Sequence, residues 1–436
     1  MYKASMFNRL LKKDDEMILY NSKMGPYGIK RIERKKQDKV EYYLSHPNPP
    51  GDHDEVYDEL INYGFLVPAE LDEKQIREYY RTQFLTNPRL YLVVHTTQNC
   101  NFRCTYCYMD FNNVGIHEGT KEGIVNFISK NIQNYKSVHI SWFGGEPLLG
   151  IDAINEISQK VISICAKARK PYSASITTNG YLLTPENIDV LLRAKVRNLF
   201  ITIDGTKSCH DKQRVLKNGA GTFDRIIENL LYIKNNIRTR ALNISIRSNM
   251  TKQHVLNLTG YYQFYDDNFG DDERFTLYAK PVGDYGGARV KKLEAELLSG
   301  MGDIYEELAK VNGKIKFMWN INDLSIGSGA CPSRGYNKFT IGCDGSVHKC
   351  DEAMSDYPVG HLYPDGRMEL FENECAKWVH ARCTPQCDNC FFSMVCFMEG
   401  CPKARIFHKI NICEVDFNEV DSLIWWTAKS INAGYL

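Results

Sequence analysis

The stretch 98–108, QNCNFRCTYCY, constrains this chain more than any other. Three thiols, Cys100, Cys104 and Cys107, fall on one short excursion directly after the strand-like run 90–97. No regular element separates them, so they can converge on one metal centre. A structural zinc usually takes four protein ligands. A cubane [4Fe-4S] cluster held by three thiolates keeps one iron free for a substrate or cofactor. Whatever fold forms has to present this loop at the end of a strand.

From residue 90 to about 283 the pattern alternates strand and helix. Six apolar or alternating runs, 90–97, 138–143, 173–178, 198–204, 242–249 and 274–281, are separated by helical stretches such as 120–135, 151–168 and 184–194. Thr184 is placed to cap the last of these, with Pro185 at its first helical position. Repeated βα units give a parallel sheet, and in such sheets function collects at the C-terminal ends of the strands. There the second run ends in Gly144-Gly145-Glu146-Pro147, the third in Thr177-Thr178-Asn179-Gly180, the fourth in Asp204-Gly205, and the fifth in Arg247 and Asn249. Glycines let backbone approach a ligand closely, and the Glu146 carboxylate can accept hydrogen bonds from an ammonium group. Each segment alone is an ordinary turn or cap; together they predict a ligand-lined rim.

A chain of 436 residues is long for one core and suggests about two to four units. No run is long enough to span a bilayer, and the N-terminus lacks a signal-peptide pattern, which reads as cytoplasmic. A net charge of +1 gives no general attraction to nucleic acid or to an anionic membrane. Fifteen cysteines without an export signal point to metal ligation rather than disulfides. Ten of them follow residue 330, including a CxxC at Cys387 and Cys390, so more than one metal centre is expected. The histidines form no HExxH pair, and neither GxGxxG after a strand nor GxxxxGK[ST] occurs. Zinc hydrolase, nicotinamide and nucleoside-triphosphate chemistry therefore lack a motif.

Residues 1–85 read as a separate small domain: strands over 2–18 and 29–34 around a turn-rich 22–28, helices over 39–45 and 55–63, then a strand at 64–67. The basic run 30–36, KRIERKK, suits either an acidic peptide or a solvated, charge-protected edge. Residues 284–330 are a connection, with helical patterns at 291–298 and 303–311 and a Gly-Ser-Gly boundary at 327–329.

The CxxxCxxC spacing, with aromatic Tyr106 before its last cysteine, resembles the radical S-adenosylmethionine (SAM) family, and so does GGEP some forty residues on. The resemblance implies an α/β fold built on a partial (β/α)6 barrel, a [4Fe-4S] cluster on Cys100, Cys104 and Cys107, and SAM on its free iron. Tyr106, Gly144, Gly145, Glu146, Thr178, Asn179, Asp204, Arg214 and Asn249 would contact the cofactor. It further implies reductive cleavage of SAM to a 5′-deoxyadenosyl radical that takes a carbon-bound hydrogen.

The cysteine-rich end resembles the SPASM extension of such enzymes, 311–436 here, with two auxiliary clusters and so three [4Fe-4S] clusters in all. The resemblance places Cys331, Cys350 and Cys401 on the first auxiliary cluster and Cys387, Cys390, Cys396 and Cys413 on the second. Four residues lie between Cys396 and Cys401 where the pattern has three. The thiol expected just before Cys331 is absent, leaving Cys343, Cys383 or an open iron as fourth ligand. Asp351 follows Cys350 as a candidate proton acceptor, or as a hairpin aspartate in water. Cys165 reads as a core residue, Cys209 as a loop residue and Cys375 as either.

Residues 1–85 resemble the winged-helix peptide-recognition domain of radical SAM peptide maturases, which captures a leader peptide as an added strand; the barrel would then run over 86–310. The whole resembles a maturase that crosslinks a ribosomally made precursor peptide, most simply through a cysteine thioether, with an electron donor such as flavodoxin or ferredoxin. Carbon-carbon crosslinking, oxidation of Ser or Cys to formylglycine as in anaerobic sulfatase maturases, and a non-catalytic electron carrier are the alternatives.

Overall fold

The computed structural model describes the chain except residues 52, 284–288, 299, 301–303, 305–320, 355–356, 380–384, 399, 409–412, 414 and 431–435. Cys383 and all of 303–311 but Ile304 lie outside the described residues. Packing divides the chain into two compact units: residues 1–86, 319–334 and 380–436 form one, and 87–318 with 335–379 form the other. The segments 1–85, 86–310 and 311–436 remain a proposal about modules rather than about packing.

In the first unit β1 (Tyr2–Ala4) leads to β2 (Asn8–Lys13), β3 (Glu16–Asn21) and β4 (Ile29–Ile32), which form an antiparallel sheet in that order. The single run read over 2–18 is therefore broken. Asp14, at φ +54°, turns the chain between β2 and β3, a conformation that short polar side chains tolerate best. Helices Gln37–Ser45 and Glu55–Asn62 follow, the second capped by the Asp54 side chain, which accepts from Val56 N and Tyr57 N. β5 (Leu66–Pro68) returns to pair with β1. A further helix, Glu73–Leu85, was not visible in the apolar pattern, because the residues it buries are Glu73, Arg77, Arg81 and Leu85.

Met17, Leu19, Ile32, Val40, Tyr57, Leu60 and Phe65 make the local core, and Leu436 joins it. Leu436 also lies on β4, its N–H donating to Arg31 O and its carbonyl accepting from Glu33 N. The basic run 30–36 is largely engaged within the unit. Lys36 meets Glu59, Arg34 meets Asp15, Lys35 meets Glu33, and Lys30 lies over the Tyr63 ring.

The second unit is built on one sheet of ten strands. Its first six, β6 (Arg89–Thr97), β7 (Ser137–Gly144), β8 (Tyr172–Thr178), β9 (Val196–Thr202), β10 (Asn243–Met250) and β11 (Phe275–Pro281), are all parallel and lie in chain order. These are the six runs read from the sequence, joined by helices that include Glu118–Asn131, Ile151–Lys167 and Pro185–Arg193. Thr184 caps the last through Asn187 N, as its position suggested. Alternate strand positions, such as Leu90, Leu92, Val138, Ile140, Ala174, Ile176, Ile244 and Ile246, are fully buried. The intervening ones, including His139, Ser141, Ser173 and Ser175, make a polar face on which His139 bridges the hydroxyls of Ser173 and Ser175.

β9 stops short of Asp204, whose N–H turns away to donate to the His210 ring at 3.1 Å. After the connection, where 291–298 is represented by a 3-10 turn at Val290–Glu296, the chain returns as β12 (Lys338–Ile341), parallel to β6. β13 (Ser346–His348), β14 (Gly360–Leu362) and β15 (Met368–Leu370) extend the sheet antiparallel from there. Gly345, at φ +87°, makes the turn between β12 and β13.

Candidate active site

The cysteine loop opens at the end of β6 and is laced to its surroundings by backbone bonds. Arg103 N donates to Val215 O, Thr105 N to Gln213 O, and Lys217 N to Asn101 O. From the other side Gly145 N donates to Thr97 O and Glu146 N to Asn99 O. This approach explains both glycines. A Cβ on Gly144 would lie 2.3 Å from Thr97 O and one on Gly145 2.1 Å from Asn99 O. The glycines therefore serve close approach, as expected, but to the cysteine loop's own backbone.

Glu146 is fully buried. Its carboxylate accepts from Leu148 N at 3.0 Å, Thr178 Oγ1 at 2.7 Å and Asn179 N at 2.8 Å, so it ties the end of β7 to the end of β8. Burial pushes it above the ordinary carboxylate range, and the three donors pull it back. Asn179 Nδ2 in turn donates to Asn101 Oδ1 at 2.8 Å and lies 3.9 Å from Cys100 Sγ.

A second buried network meets at Tyr106. Its hydroxyl donates to Asp204 Oδ2 at 2.5 Å and accepts from Arg214 Nη1 at 2.7 Å and Asn249 Nδ2 at 3.1 Å. Asp204 Oδ1 accepts from Asn249 N. Burial works against the charge on Arg214, but Cys104, Tyr106 and Asp204 outweigh it and hold the guanidinium protonated. The side chains Glu146, Thr178, Asn179, Asp204, Arg214, Asn249 and Tyr106 are thus brought together at the strand ends, as much engaged with one another as turned outward.

Burial pushes the Cys100 thiol up to about 11 and Cys104 up to about 12, and raises Cys107 as well. Cys100 is further raised by Cys107, and Cys104 by both Cys107 and Cys100, so the three are neighbours. Among the described residues no three metal-binding side chains close in on a single ion. A four-iron cluster spaces its thiolates more widely, and its negative charge suits what surrounds this trio. Phe102 N donates to Cys100 Sγ at 3.4 Å, and Arg214 Nε is buried with no hydrogen-bond partner beside Cys104. The residues fit a thiolate-held cluster.

Asp351 begins a short 3-10 turn after Cys350, its carboxylate 4.0 Å from Lys338 Nζ. It shares an electrostatic neighbourhood with His95, whose ring burial drives down to about 4, and with Tyr108, whose hydroxyl burial pushes well up. Cys343 is fully buried, with its thiol donating to His95 O at 3.3 Å. Cys165 is a buried helix residue, as expected. Cys209 is not in a loop: it is buried on the helix Lys207–Gln213. Cys375 sits on the helix Glu372–Val379, its thiol 3.7 Å from Val359 O.

Sequence reasoning missed three supports. Arg289 donates to Cys107 O and Met109 O and lies over the Phe111 ring. His210 receives Asp204 N and bonds Thr222. The strip 213–217 zips the loop. Only Asn101, inside the motif itself, carried a readable signal.

In the first unit the CxxC loop is also gathered. The Cys390 thiol is raised chiefly by burial and then by Cys387 and Cys413. Arg77, with a side chain 3% exposed, donates through Nη1 to Cys387 O, Asp388 O and Ser393 Oγ at 3.2–3.3 Å. Arg9 pairs with Asp421 and lies over the Phe391 ring.

Residues 94–259, which hold the thiol trio, GGEP and the strand ends described above, match the radical SAM superfamily. The chain carries a radical SAM domain and is a radical SAM enzyme, which implies a [4Fe-4S] cluster and SAM.

The chain is 27% identical over 338 residues to the cysteine-type anaerobic sulfatase-maturating enzyme of Clostridium novyi, covering 72% of this chain and 88% of that one. It is 22% identical over 341 residues to the serine-type enzyme of Bacteroides thetaiotaomicron, covering 70% and 80%. Among solved structures it resembles anSMEcpe with bound AdoMet and a Cp18Cys peptide, with a TM-score of 0.60 and 18% identity over 79% of this chain and 98% of that chain. That structural likeness establishes the fold.

Proposed function

We propose that this enzyme is a peptide maturase: it oxidises a residue of a peptide substrate, most simply by joining a cysteine sulfur to a carbon of the same chain. The observation that carries the oxidative radical chemistry is the thiol trio, with Cys100 and Cys104 buried, locked between the GGE segment and 213–217 at the mouth of six parallel strands. Similarity to sulfatase maturases over most of the chain supports a peptide substrate. Cys100, Cys104 and Cys107 would hold the SAM-binding cluster. The thiols of Cys331, Cys350 and Cys401, and of Cys387, Cys390, Cys396 and Cys413, would hold two more. When bound, cluster and SAM together supply a carbon radical able to take a hydrogen atom from an unactivated carbon.

The protein's own residues do the rest. Glu146 and Asp204 cross-tie the strand ends so that the cofactor meets a fixed surface. Tyr106 and Arg214 keep the region beside Cys104 polar and cationic. Asp351 would accept the proton released as the substrate is oxidised. A leader peptide would bind the sheet of the first unit as an added strand; with the basic run engaged internally, main-chain bonds rather than charge would carry that affinity.

Formylglycine formation is the second reading, favoured by the match to the cysteine-type sulfatase maturase. Anaerobic reaction of the reconstituted enzyme with SAM and reductant separates the two. The peptides offered are short cysteine-containing peptides encoded beside the gene and a sulfatase-motif peptide. A crosslinked product loses two hydrogens and resists thiol alkylation, whereas formylglycine reacts with a hydrazide. Production of 5′-deoxyadenosine with no change in any peptide would overturn the peptide-maturase reading.

A further inference from the structure

The sheet β2–β3–β4 has two edges, and they are finished differently. β2 ends in exposed Lys12 and Lys13, the kind of charge that keeps a strand edge from pairing with another chain. β4 instead carries a residue from far along the sequence. Leu436 N donates to Arg31 O at 2.9 Å, and its carbonyl accepts from Glu33 N at 3.5 Å. The two bonds flank Ile32, as one residue of a parallel strand makes them. The Leu436 side chain is 1% exposed and shares a core with Ile32 on β4 and with Val40 and Tyr43 on the helix Gln37–Ser45.

A strand edge beside an apolar pocket has the two parts that strand addition needs: main-chain groups for affinity and a pocket for specificity. Here the chain fills both with one leucine. The helix Phe417–Ser430 delivers it, packed against β3 and β4, with Asp421 paired to Arg9 on β2 and Lys429 to Glu16 on β3. A tethered group competes at an effective concentration in the millimolar range. One side chain and two main-chain bonds, weak by themselves, therefore suffice to hold the edge. The same weakness lets a longer strand replace them.

We infer that the β4 edge and its pocket are the docking site of an extended peptide with a leucine-like anchor, and that Leu436 is its built-in competitor. This rests on the reading of the first unit as the binder of a leader strand, and it names the edge used, the anchor required and the contact that has to be given up. Occupancy by Leu436 divides the intrinsic affinity of any docking peptide by the fraction of molecules whose edge is free. A peptide that offers main-chain bonds without an apolar anchor cannot replace what it displaces. Leu436 thus acts as a threshold that selects for the anchored strand.

The test is fluorescence anisotropy on the full-length enzyme, with a labelled synthetic peptide of residues 429–436, KSINAGYL, as the probe. Leu436→Asp vacates the pocket, so the probe should bind that variant about fivefold or more tightly than wild type. Adding Glu33→Pro should cancel the gain. It deletes the donor to the strand's carbonyl, and Glu33 already sits at φ −58°, which proline adopts without strain. Leu436→Ala, which empties the pocket without adding charge, should give a gain of about twofold or more and decides the matter if circular dichroism shows Leu436→Asp to be unfolded.

Equal affinity in wild type and in the folded Leu436 variants, or a gain that survives Glu33→Pro, overturns the inference. The short peptides encoded beside the gene are then offered as competitors. A peptide that displaces the probe, and binds wild type more weakly than Leu436→Asp, supports a leader docked on β4. Peptides that bind both proteins equally and leave the probe in place keep the leader reading and sink the inference. If none of them binds while the probe still takes the opened edge, the leader reading fails and the docking edge stands.

Discussion

The cysteine loop of the barrel and the cysteine-rich segment after residue 330 use the same ligand chemistry in opposite ways. Around Cys100, Cys104 and Cys107 several elements are tied together: Glu146 has three donors, Asp204 meets Tyr106 and Asn249, and the loop is sewn to 213–217, while Arg214 Nε, Thr105 Oγ1 and Gln213 Oε1 stay buried without a partner among the described residues. Around Cys387 and Cys390 the described contacts run mainly through one side chain: Arg77 Nη1 holds Cys387 O, Asp388 O and Ser393 Oγ, with the Asp388 and Glu78 carboxylates beside its other nitrogens. Preorganised polar networks hold their shape without a ligand, while a loop held through one side chain depends more on what it binds. The barrel loop is thus fixed by several elements at once, and the CxxC loop chiefly by one arginine.

The largest effects expected come from the ligands themselves, and they should differ in kind. Cys104→Ser abolishes formation of 5′-deoxyadenosine, because it removes the cluster that reduces SAM. Cys387→Ser leaves that cleavage measurable but stops conversion of the peptide, because only electron acceptance is lost. Chromatography of the nucleoside and mass spectrometry of the peptide read the two independently, and equal loss of both activities in both variants would erase the contrast.

Next in size is the buried network. Asp204→Ala leaves the buried Arg214 charge without its carboxylate and the Tyr106 hydroxyl without its acceptor, which should cost about 3–5 kcal/mol and lower the thermal midpoint of the barrel unit. Glycine substitutions sharpen the comparison at a smaller scale. A methyl at Gly145 would meet a backbone oxygen at 2.1 Å, so Gly145→Ala should destabilise by about 1–3 kcal/mol and weaken SAM cleavage. The same change at Gly329, where the nearest atom would be at 3.5 Å, should stay within about 0.5 kcal/mol in denaturant unfolding.

What could be read in advance follows the range of the interactions. The thiol trio and GGEP are contiguous, and the six parallel strands announce themselves by local alternation, so barrel and site were legible together. Bounds shifted where a tertiary contact decided them: β9 ends before Asp204 because its N–H goes to His210. The turn at Asp14 was missed because 2–18 was read as one strand straight through the charged stretch 12–16, and the helix Glu73–Leu85 because it buries charge. Arg77 and Arg289 had no local signal at all. An arginine among solvent-exposed charges and an arginine sealed against a cysteine loop look the same in one dimension. The polar rim was legible as a set of residues, but not that its members would spend so many bonds on each other.

The smallest effect expected is a pH dependence inside the barrel. His139 is buried on the polar face of the sheet between the hydroxyls of Ser173 and Ser175, and burial, aided by Arg89, lowers it to about 4. The unfolded chain binds a proton near 6.5, so the folded state favours the neutral ring. That preference contributes fully above pH 6.5 and is lost progressively as pH falls toward 4, at about 1.4 kcal/mol per unit. In His139→Gln the amide can still meet both serines, but this slope disappears. Urea unfolding at pH 7.5, 6.5 and 5.5 should therefore show the variant losing about 1 kcal/mol less than wild type between the last two points. Parallel curves would mean that the imidazole is protonated in the native barrel, and that its polar face is wetter than the geometry of His139 implies.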